Sequence, residues 1–323
     1  MKAIMQDRYG SEDVLKLQDI EKPAAGDDDV LVQVRAAGVD QGVWHLMTGL
    51  PYPVRLAGFG VRRPKFRVRG RDVAGVVEAV GKNVTGLRPG DEVYGTCEGS
   101  FAEYALSRAD RLAPKPANLT FEQAAAVPTS ACTALKGLRD AGRVKAGQNV
   151  LITGAGGGVG TYAVQIAKAF GARVTGVCGT AKVDLVRSLG ADDVIDYTRE
   201  DFAARARGFD LVLDIAGLRS LAVLRRALTP RGTLVVAGGE GGGRWLGGTQ
   251  RQLQVLALSP FVRHDLRPLM SSESTEDLQV LTGLIESGKV TPVVDRTYPL
   301  DEAPDAIRDM RAGRARGKFV VTV

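Results

Sequence analysis

The amino-acid sequence predicts an α/β protein that combines a doubly wound parallel sheet with a β-rich domain. Its 323 residues correspond to about two domains of ordinary size. In the first 115 or so residues, short valine-rich runs are bounded by Gly, Pro and Asp, as β-strands commonly are. From about Asn118 onward, apolar runs alternate with helical patterns, which is the order of elements in a doubly wound sheet.

The N-terminal region is predicted to be an antiparallel or mixed β domain with irregular loops. Strands are expected at residues 30–36, 73–80 and 92–96. The last of these follows Pro89-Gly90-Asp91, a combination that favours a tight turn. Only one long helix is indicated in this region, so packed strands must supply most of its core.

The second region begins with a strand, a glycine-rich turn and a helix. The run NVLITGAG at residues 149–156 is apolar until it ends in glycines, as a buried parallel strand would be. Residues 161–171 have helical spacing and end in a glycine suited to a C-cap. A second strand (173–178) and helix (182–190) follow, and then three more strand-like runs, DDVIDY, FDLVLDIAG and GTLVVAGG.

After about Ser259 the alternation of strands and helices weakens. Helices are expected at residues 276–287 and 301–311, and a final strand at residues 318–323. We interpret this segment as the chain returning to the first domain. The predicted domains are therefore residues 1–123, completed by 260–323, and residues 124–259 between them.

Composition excludes several classes of protein. The sequence has no apolar stretch long enough to cross a membrane and no apolar signal core at its charged N-terminus, which predicts a cytoplasmic protein. Three scattered cysteines without a CxxC motif argue against a disulfide framework and a thiolate zinc cluster. The net charge of +6 is spread thinly. The densest basic run, from Arg62 to Arg71, is interpreted as a solvated loop, or alternatively as a rim that attracts an anionic ligand.

A dinucleotide-binding fingerprint lies between the first strand and helix of the second region. It reads A-x-G-x-x-G, with Ala155, Gly157 and Gly160 at the diagnostic positions and Gly158 and Val159 between them. Small residues let the backbone turn tightly and approach a pyrophosphate, and Gly160 lets the helix pack close to the strand. The helix N-terminus presents N–H groups and partial positive charge to the phosphates.

The next strand predicts NADPH rather than NADH. A site for NADH would place an acidic residue at the tip of this strand, bonded to the ribose 2′-hydroxyl. Here the strand is followed by Gly179, Thr180 and Lys182, which offer a hydroxyl donor and a positive charge to a 2′-phosphate.

Several segments together resemble a known superfamily. They are AAGVD (36–40), GRDVAGVVEAVG (70–81), LRPGDEVYG (87–95), FAEYAL (101–106), AAAVPTSACTAL (124–135), GAGGGVGTYAVQIAKAFGA and LGADDVIDY. The chain resembles zinc-free medium-chain dehydrogenases/reductases of the quinone oxidoreductase, or ζ-crystallin-like, branch. The resemblance implies a GroES-like catalytic domain, a Rossmann domain inserted into it, and a cofactor in the cleft between them. It also implies dimers or tetramers, of which we expect a homodimer.

No metal site is predicted. Zinc-dependent members of the superfamily have a cysteine after AxGV and a Gly-His-Glu motif. This sequence has Asp40 at the first place and Gly70-Arg71-Asp72 near the second. Zinc needs three or four nitrogen, sulfur or oxygen ligands, and the chain has only two histidines, His45 and His264.

The predicted reaction is NADPH-dependent reduction of a quinone or an α,β-unsaturated carbonyl. Such acceptors delocalise the negative charge that hydride transfer creates, so hydrogen-bond donors can replace a metal. Two alternatives remain: a zinc-dependent alcohol dehydrogenase, and a non-enzymatic nucleotide-binding or crystallin-like protein. Nucleic acid binding is not indicated, because only Phe59 and Phe66 offer stacking surfaces near the basic run.

Candidate catalytic residues follow from the resemblance of residues 39–53 to the family loop over the nicotinamide. Tyr52 matches a tyrosine that lines the quinone pocket, where its hydroxyl could donate to a developing oxyanion, although simple packing would also explain it. His45 is a candidate proton donor or a merely polar residue. The family usually carries Asn, and three residues later Asp, where this chain has Asp40 and Val43, so Asp40 is expected to supply the polar group.

The resemblance also assigns residues to the cofactor. Thr133 matches a threonine near the nicotinamide ribose, and Tyr197 matches a tyrosine that covers the adenosine 2′-phosphate. Gly217, Gly238 and Gly239 end later strands at the carboxyl edge of the sheet, where ligands bind in open α/β sheets. Lys318 matches a lysine within reach of the nicotinamide. Turn geometry or surface solvation would equally explain each of these residues.

Overall fold

The computed structural model describes residues 1–239 and 243–323, which form two compact units. The first unit comprises Met1–Cys132, Glu273–Glu286 and Pro292–Val323. The second comprises Thr133–Ser272 and Ser287–Thr291. The domain boundaries expected from the sequence stay a prediction.

Strands form the sheets at the centre of both units. In chain order they are β1 (Lys2–Met5), β2 (Lys16–Asp19), β3 (Asp29–Val39), β4 (Asp72–Val80), β5 (Glu92–Thr96), β6 (Tyr104–Arg108), β7 (Leu112–Pro114), β8 (Asn149–Thr153), β9 (Arg173–Cys178), β10 (Asp193–Asp196), β11 (Phe209–Asp214), β12 (Leu228–Val236), β13 (Asp265–Pro268), β14 (Val294–Pro299) and β15 (Lys318–Thr322).

The described α-helices of both units are between four and twelve residues long. In chain order they are α1 (Gln41–Thr48), α2 (Phe121–Ala125), α3 (Pro128–Lys136), α4 (Gly158–Ala169), α5 (Val183–Ser188), α6 (Phe202–Arg205), α7 (Leu221–Ala227), α8 (Gly243–Leu246), α9 (Thr249–Leu258), α10 (Thr275–Glu286) and α11 (Ala303–Arg311). None of the described helices is long and apolar enough to cross a membrane.

The main sheet of the first unit has the order β14-β15-β3-β4-β5-β7, with β6 also paired to β3. All of these pairs are antiparallel except β14 with β15, so the sheet is mixed, as the sequence predicts. The long strand β3 holds the sheet together because it pairs with three neighbours. Val30, Val32 and Val34 of this strand pack in a cluster with Val73, Val93 and Leu112.

The second unit is built on a six-stranded, wholly parallel sheet. Its order is β10-β9-β8-β11-β12-β13, so the strand order reverses between β8 and β11. This is the doubly wound topology that the alternating strands and helices predict, with a ligand crevice expected where the order reverses. Four of the five residues of β8 are buried, because helices cover both faces of such a sheet.

The sequence does not predict the sixth strand of this sheet, β13. It pairs with β12 beyond residue 259, where the alternation of sequence patterns weakens. The strand is only four residues long and includes Asp265 and Arg267, which form an ion pair. Its apolar content is therefore too low to give a strand pattern, and the pairing with β12 alone reveals it.

Candidate active site and cofactor-binding residues

The loop between β8 and α4 has the geometry that a dinucleotide phosphate requires. Gly154 adopts a φ of 71°, a conformation that glycine reaches without strain. Gly157 is the N-cap of α4 and provides no capping side chain, so the first N–H groups of this 12-residue helix are not capped by it. A Cβ on Gly160 would collide with the carbonyl oxygen of Gly154, so the close contact of helix and strand needs a glycine there.

Space lies open beside Gly157. A Cβ built there would meet only the carbonyl oxygen of Gly154, at 3.4 Å. The next glycine is different, because a Cβ on Gly156 would meet Cβ of Lys182 at 2.7 Å. The structure therefore brings the stem of Lys182 against the glycine loop.

The tip of β9 gathers three more of the predicted cofactor residues. A Cβ on Gly179 would lie 3.3 Å from the hydroxyl of Tyr197, so this tyrosine packs over the glycine. Tyr197 is 46% exposed and therefore has an accessible ring. Thr180 is also exposed, and together these residues form a small surface at the ends of β9 and β10.

Sequence reasoning missed Asp196, which lies at the end of β10 directly beside Cys178 of β9. Thr180 donates its hydroxyl proton to this carboxylate over 2.5 Å, and Thr198 donates to it through both N–H and O–H. The hydrogen bond from Thr180 is the largest influence that lowers the pKa of Asp196. In this arrangement Thr180 does not offer its proton to a phosphate, which leaves Lys182 as the charge at this position.

The glycines at the ends of β11 and β12 are required by backbone packing. Gly217 has a φ of 66°, and a Cβ there would meet Cα of Gly239 at 2.7 Å. Gly238 would collide with the Ile215 carbonyl if it carried a Cβ. The three glycines thus allow two turns to touch, and this explains them whether or not a cofactor approaches.

Buried Asp214 is paired within the second unit. It ends β11, accepts from the Thr153 hydroxyl at 2.7 Å and forms an ion pair with Arg251 at 2.5 Å. Because Arg251 also donates to the carbonyl of Arg219, it ties α9 to this edge of the sheet. These contacts hold the strand ends in place on either side of the reversal in strand order.

In the first unit, Asp40 fixes the start of α1. Its Oδ1 accepts from the backbone N–H of Val43 at 3.1 Å, as an N-cap side chain does. The residue is only 7% exposed, and its Oδ2 has no hydrogen-bond partner within the described part of the chain. A buried carboxylate oxygen without a partner is energetically costly, which indicates an unusual local environment.

His45 is held by a contact that fixes its tautomer. Its Nδ1 lies 2.6 Å from the carbonyl oxygen of Leu50, which can only accept, so Nδ1 carries a proton. A neutral His45 then presents Nε2 as an acceptor. It can act as a proton donor through that atom only as an imidazolium. The ring also packs edge-on against Trp44, with centroids 5.1 Å apart.

Tyr52 belongs to a stacked group at the end of the same loop. The guanidinium of Arg55 lies 4.9 Å from the ring centre of Tyr52 and 4.3 Å from that of Tyr9. Arg55 also donates to the carbonyl of Gly49, and Tyr9 donates to the carbonyl of Phe59 at 2.9 Å. The loop is therefore cross-linked by polar contacts, with Tyr52 half-buried at its edge.

Lys318 has a buried partner inside the first unit. Its Nζ lies 3.3 Å from Oδ2 of Asp72, and the side chains are 2% and 0% exposed. The other oxygen of Asp72 accepts from the N–H and hydroxyl of Thr129. Burial is the main cause that raises the pKa of Asp72 to about 6, against the lowering influence of Lys318. Thr133, four residues beyond Thr129 on the same helix, is partly buried at the start of the second unit.

The basic run from Arg62 to Arg71 is not uniformly solvated. Its first members are exposed, whereas Arg69 is 4% exposed and Arg71 is half-buried. Burial lowers the pKa of Arg69 to about 10. The interpretation of the run as a solvated loop is therefore correct for its beginning and wrong for its end, because the chain enters the sheet there as β4.

Similarity to known proteins agrees with this geometry. Residues 26–117 match the family model of the alcohol dehydrogenase GroES-like domain, and residues 189–321 match the model called zinc-binding dehydrogenase. A 2-methylene-furan-3-one reductase from Solanum lycopersicum is 37% identical over 99% of this chain and 79% of its own length. This chain belongs to the medium-chain dehydrogenase/reductase superfamily, in its quinone oxidoreductase branch.

Two further members of the family are similar over nearly the whole chain. A chloroplastic NADPH-dependent alkenal/one oxidoreductase from Arabidopsis thaliana is 35% identical over 99% of this chain and 79% of its own. The solved structure of the quinone oxidoreductase from Coxiella burnetii superposes with a TM-score of 0.87 at 29% identity, covering 100% of this chain and 99% of that one. These matches confirm the predicted GroES-like and Rossmann architecture.

Within residues 1–239 and 243–323, no group of three or more His, Cys, Asp or Glu side chains is arranged to hold a metal ion. All three cysteines are free and buried. Burial raises the pKa of Cys178 to about 11, so this thiol remains protonated at neutral pH.

Proposed function

We propose that this protein transfers hydride from NADPH to a quinone or an α,β-unsaturated carbonyl without a metal ion. The observation that carries the proposal is the uncapped start of α4 at Gly157, with open space beside it and Lys182 packed on the adjoining glycine. The names of the relatives support the same reaction, since they are reductases of enones, alkenals and quinones.

The cofactor fits the residues at the carboxyl edge of the second unit's sheet. We assign the pyrophosphate to the backbone of residues 155–160, because small residues and uncapped N–H groups meet there. Lys182 supplies a positive charge for the 2′-phosphate, and the exposed ring of Tyr197 covers it. Gly179, Thr180, Gly217, Gly238, Gly239 and Thr133 complete the proposed set at this edge. When bound, NADPH supplies the hydride.

The acceptor is assigned to the loop that begins at Asp40 and ends near Tyr52. Hydride addition to an enone leaves negative charge on its oxygen, and donors placed near that oxygen lower the barrier. Tyr52 and His45 are the proposed donors. Because Leu50 holds Nδ1 of His45, a proton from this residue must come from Nε2 of the imidazolium.

The proposal is tested by a screen of NADPH oxidation. We expect turnover with 1,4-naphthoquinone, 9,10-phenanthrenequinone and simple enones, and little with saturated aldehydes. Activity is expected to survive chelator and to occur without stoichiometric zinc. Zinc-dependent turnover would establish the alcohol dehydrogenase alternative. Failure to oxidise NADPH with any acceptor, with salt-dependent RNA binding instead, would favour a non-enzymatic role.

Tyr52→Phe tests the acceptor side. If the hydroxyl stabilises developing charge, kcat/KM for quinones should fall by about tenfold, which corresponds to the net contribution of roughly one hydrogen bond. The phenyl ring keeps the stacking on Arg55, so stability should change little. Steady-state kinetics with saturating NADPH measure the effect. An unchanged kcat/KM would assign Tyr52 to packing alone.

We further propose a homodimer in the cytoplasm, acting on a small-molecule acceptor. Size-exclusion chromatography with light scattering tests the oligomeric state, and localisation of a tagged chain tests the compartment.

A further inference from the structure

Five charged side chains meet in the interior of the first unit. Asp40 and Asp72 are 7% and 0% exposed, Lys318 is 2% exposed, and the side chain of Glu273 is 8% exposed. Arg71 differs from them, because its side chain is 29% exposed. Of the two cations in this group, Arg71 is therefore the one that reaches the surface of the unit, and it does so while bonded to the buried Glu273.

The hydrogen bonds of Arg71 leave most of its donors unused. One Nη donates to Oε2 of Glu273 at 2.9 Å. Nε and the other Nη have no hydrogen-bond partner in the part of the chain that the structure describes. Lys318, by contrast, is enclosed and directed at Asp72. A guanidinium has five N–H donors in a fixed plane, so Arg71 can keep its bond to Glu273 and still donate elsewhere.

The surroundings keep Arg71 charged and oriented. Burial lowers its pKa, but Glu273, Asp40 and Asp72 outweigh that effect and raise the pKa above its ordinary value. Asp40 begins the loop proposed to hold the acceptor, and its Oδ2 has no hydrogen-bond partner among the described residues. The register of β3 and β4 pairs Gly38 with Asp72, so Arg71, which directly precedes β4, lies beside the end of β3 where that loop begins.

We propose that Arg71 donates a hydrogen bond to the carbonyl oxygen of the electron acceptor, and that Glu273 positions it. The inference rests on the proposed function and names a residue that stabilises charge in that reaction. A fixed guanidinium suits an oxygen that becomes negative during hydride transfer, because its charge and donors are present before the reaction begins.

For an enone the atoms and electrons balance as follows. Hydride from NADPH forms a bond to the β-carbon, the carbon–carbon π bond shifts toward the carbonyl, and the oxygen takes the negative charge. Arg71 holds that enolate without losing its own proton. A water molecule then protonates the α-carbon and leaves as hydroxide, which takes up a proton from the solvent, so the products are the saturated ketone and NADP⁺. Arg71 is not consumed or titrated in the cycle.

Kinetics of Arg71→Ala test the proposal. We expect kcat/KM for an enone to fall about 100-fold, the range for loss of an oxyanion donor. The loss should be smaller for 1,4-naphthoquinone, since its product anion is more delocalised. NADPH binding, measured by fluorescence titration, should not change. Added guanidinium should restore activity at least fivefold, a rescue that a merely structural role would not show.

Further variants control for misfolding and for non-specific effects of removing an arginine. Glu273→Gln keeps the size of the side chain and should lower kcat about five- to tenfold by loosening Arg71. Arg88→Ala is the matched control, because Arg88 lies on an exposed turn of the same unit and its side chain pairs with the neighbouring Asp91. It should behave as the wild type. If Arg71→Ala fails to fold, Arg71→Lys replaces it, with the same expected difference between enone and quinone.

The outcomes separate this inference from the proposed function. A wild-type protein without NADPH-dependent reductase activity would overturn the proposed function and the inference together. The inference alone would be overturned if the wild type were active and Arg71→Ala reduced the enone with the same kcat/KM as the wild type. If Arg71→Ala does not fold, the same comparison is made with Arg71→Lys. If kcat/KM fell equally for the enone and the quinone, and guanidinium did not restore activity, Arg71 would have a structural role and the inference would again be rejected.

Discussion

Lys318→Met is expected to destabilise the first unit by about 3–5 kcal/mol at pH 8. The substitution removes one partner of a buried ion pair and leaves the Asp72 carboxylate enclosed without its cation. A loss of this size should lower the midpoint of thermal unfolding by roughly 5–15 °C. Calorimetry at several pH values measures it.

The destabilisation should be smaller at pH 5 than at pH 8. In the folded protein the pKa of Asp72 is raised to about 6, above the value of 3.8 for an unburied carboxyl. The folded state therefore binds a proton more tightly than the unfolded chain, and this contribution to stability is lost as pH rises through about 6. Without Lys318 the pKa rises further, so Asp72 becomes neutral at pH 5 and its burial costs less.

A double variant provides the control for this prediction. Asp72→Asn combined with Lys318→Met removes both charges and keeps an acceptor for Thr129, so it should recover most of the lost stability. Its stability should also lose the pH dependence between pH 5 and pH 8 that the single variant shows. Equal destabilisation of Lys318→Met at both pH values would contradict the account of the pair.

The second large effect is expected for Lys182→Ala. If Lys182 contacts the 2′-phosphate, KM for NADPH should rise about 10- to 150-fold, the equivalent of a charge-assisted hydrogen bond of about 1.5–3 kcal/mol. KM for NADH should change less than threefold, because NADH has no phosphate at this position. Steady-state kinetics with both cofactors and one quinone give the ratio.

Lys145→Ala is the matched control for Lys182. Lys145 is an exposed lysine of the second unit that hydrogen-bonds to Gln148 through its backbone, so neither KM should change. Equal effects of Lys182→Ala on both cofactors would remove Lys182 from the phosphate site. Asp196 would then be the residue to examine, because its carboxylate lies beside the tip of β9 and suits a ribose hydroxyl.

Much of the architecture could be predicted because it depends on local pattern. The apolar run of β8 followed by glycines marks a buried strand and a phosphate loop within a few residues. The expected helix at residues 161–171 corresponds to α4, although α4 begins earlier, at Gly158. β13 could not be predicted, because its pairing with a distant strand rather than its own four residues makes it a strand.

The surroundings of several charged residues could not be predicted from the sequence either. The sequence does not predict the position of Asp196, because this residue ends β10, whereas the acid of an NADH site is expected at the end of β9. Only the register of β9 and β10 places Asp196 beside the tip of β9. Arg69 and Arg71 belong to a basic run that the sequence predicts to be solvated, yet at the entry of the chain into β4 Arg69 is buried and Arg71 is half-buried. Lys318 was expected to reach a cofactor, and its pairing with Asp72 joins residues 246 positions apart.

The sequence by itself determined the family, the parallel sheet and the phosphate loop of this protein, because periodicity, glycine spacing and turn residues act over short distances along the chain. Only the tertiary structure decided which charges are enclosed and which donors remain available. Those properties depend on solvent exclusion and on partners contributed by distant segments, and neither is encoded in any single stretch of the chain.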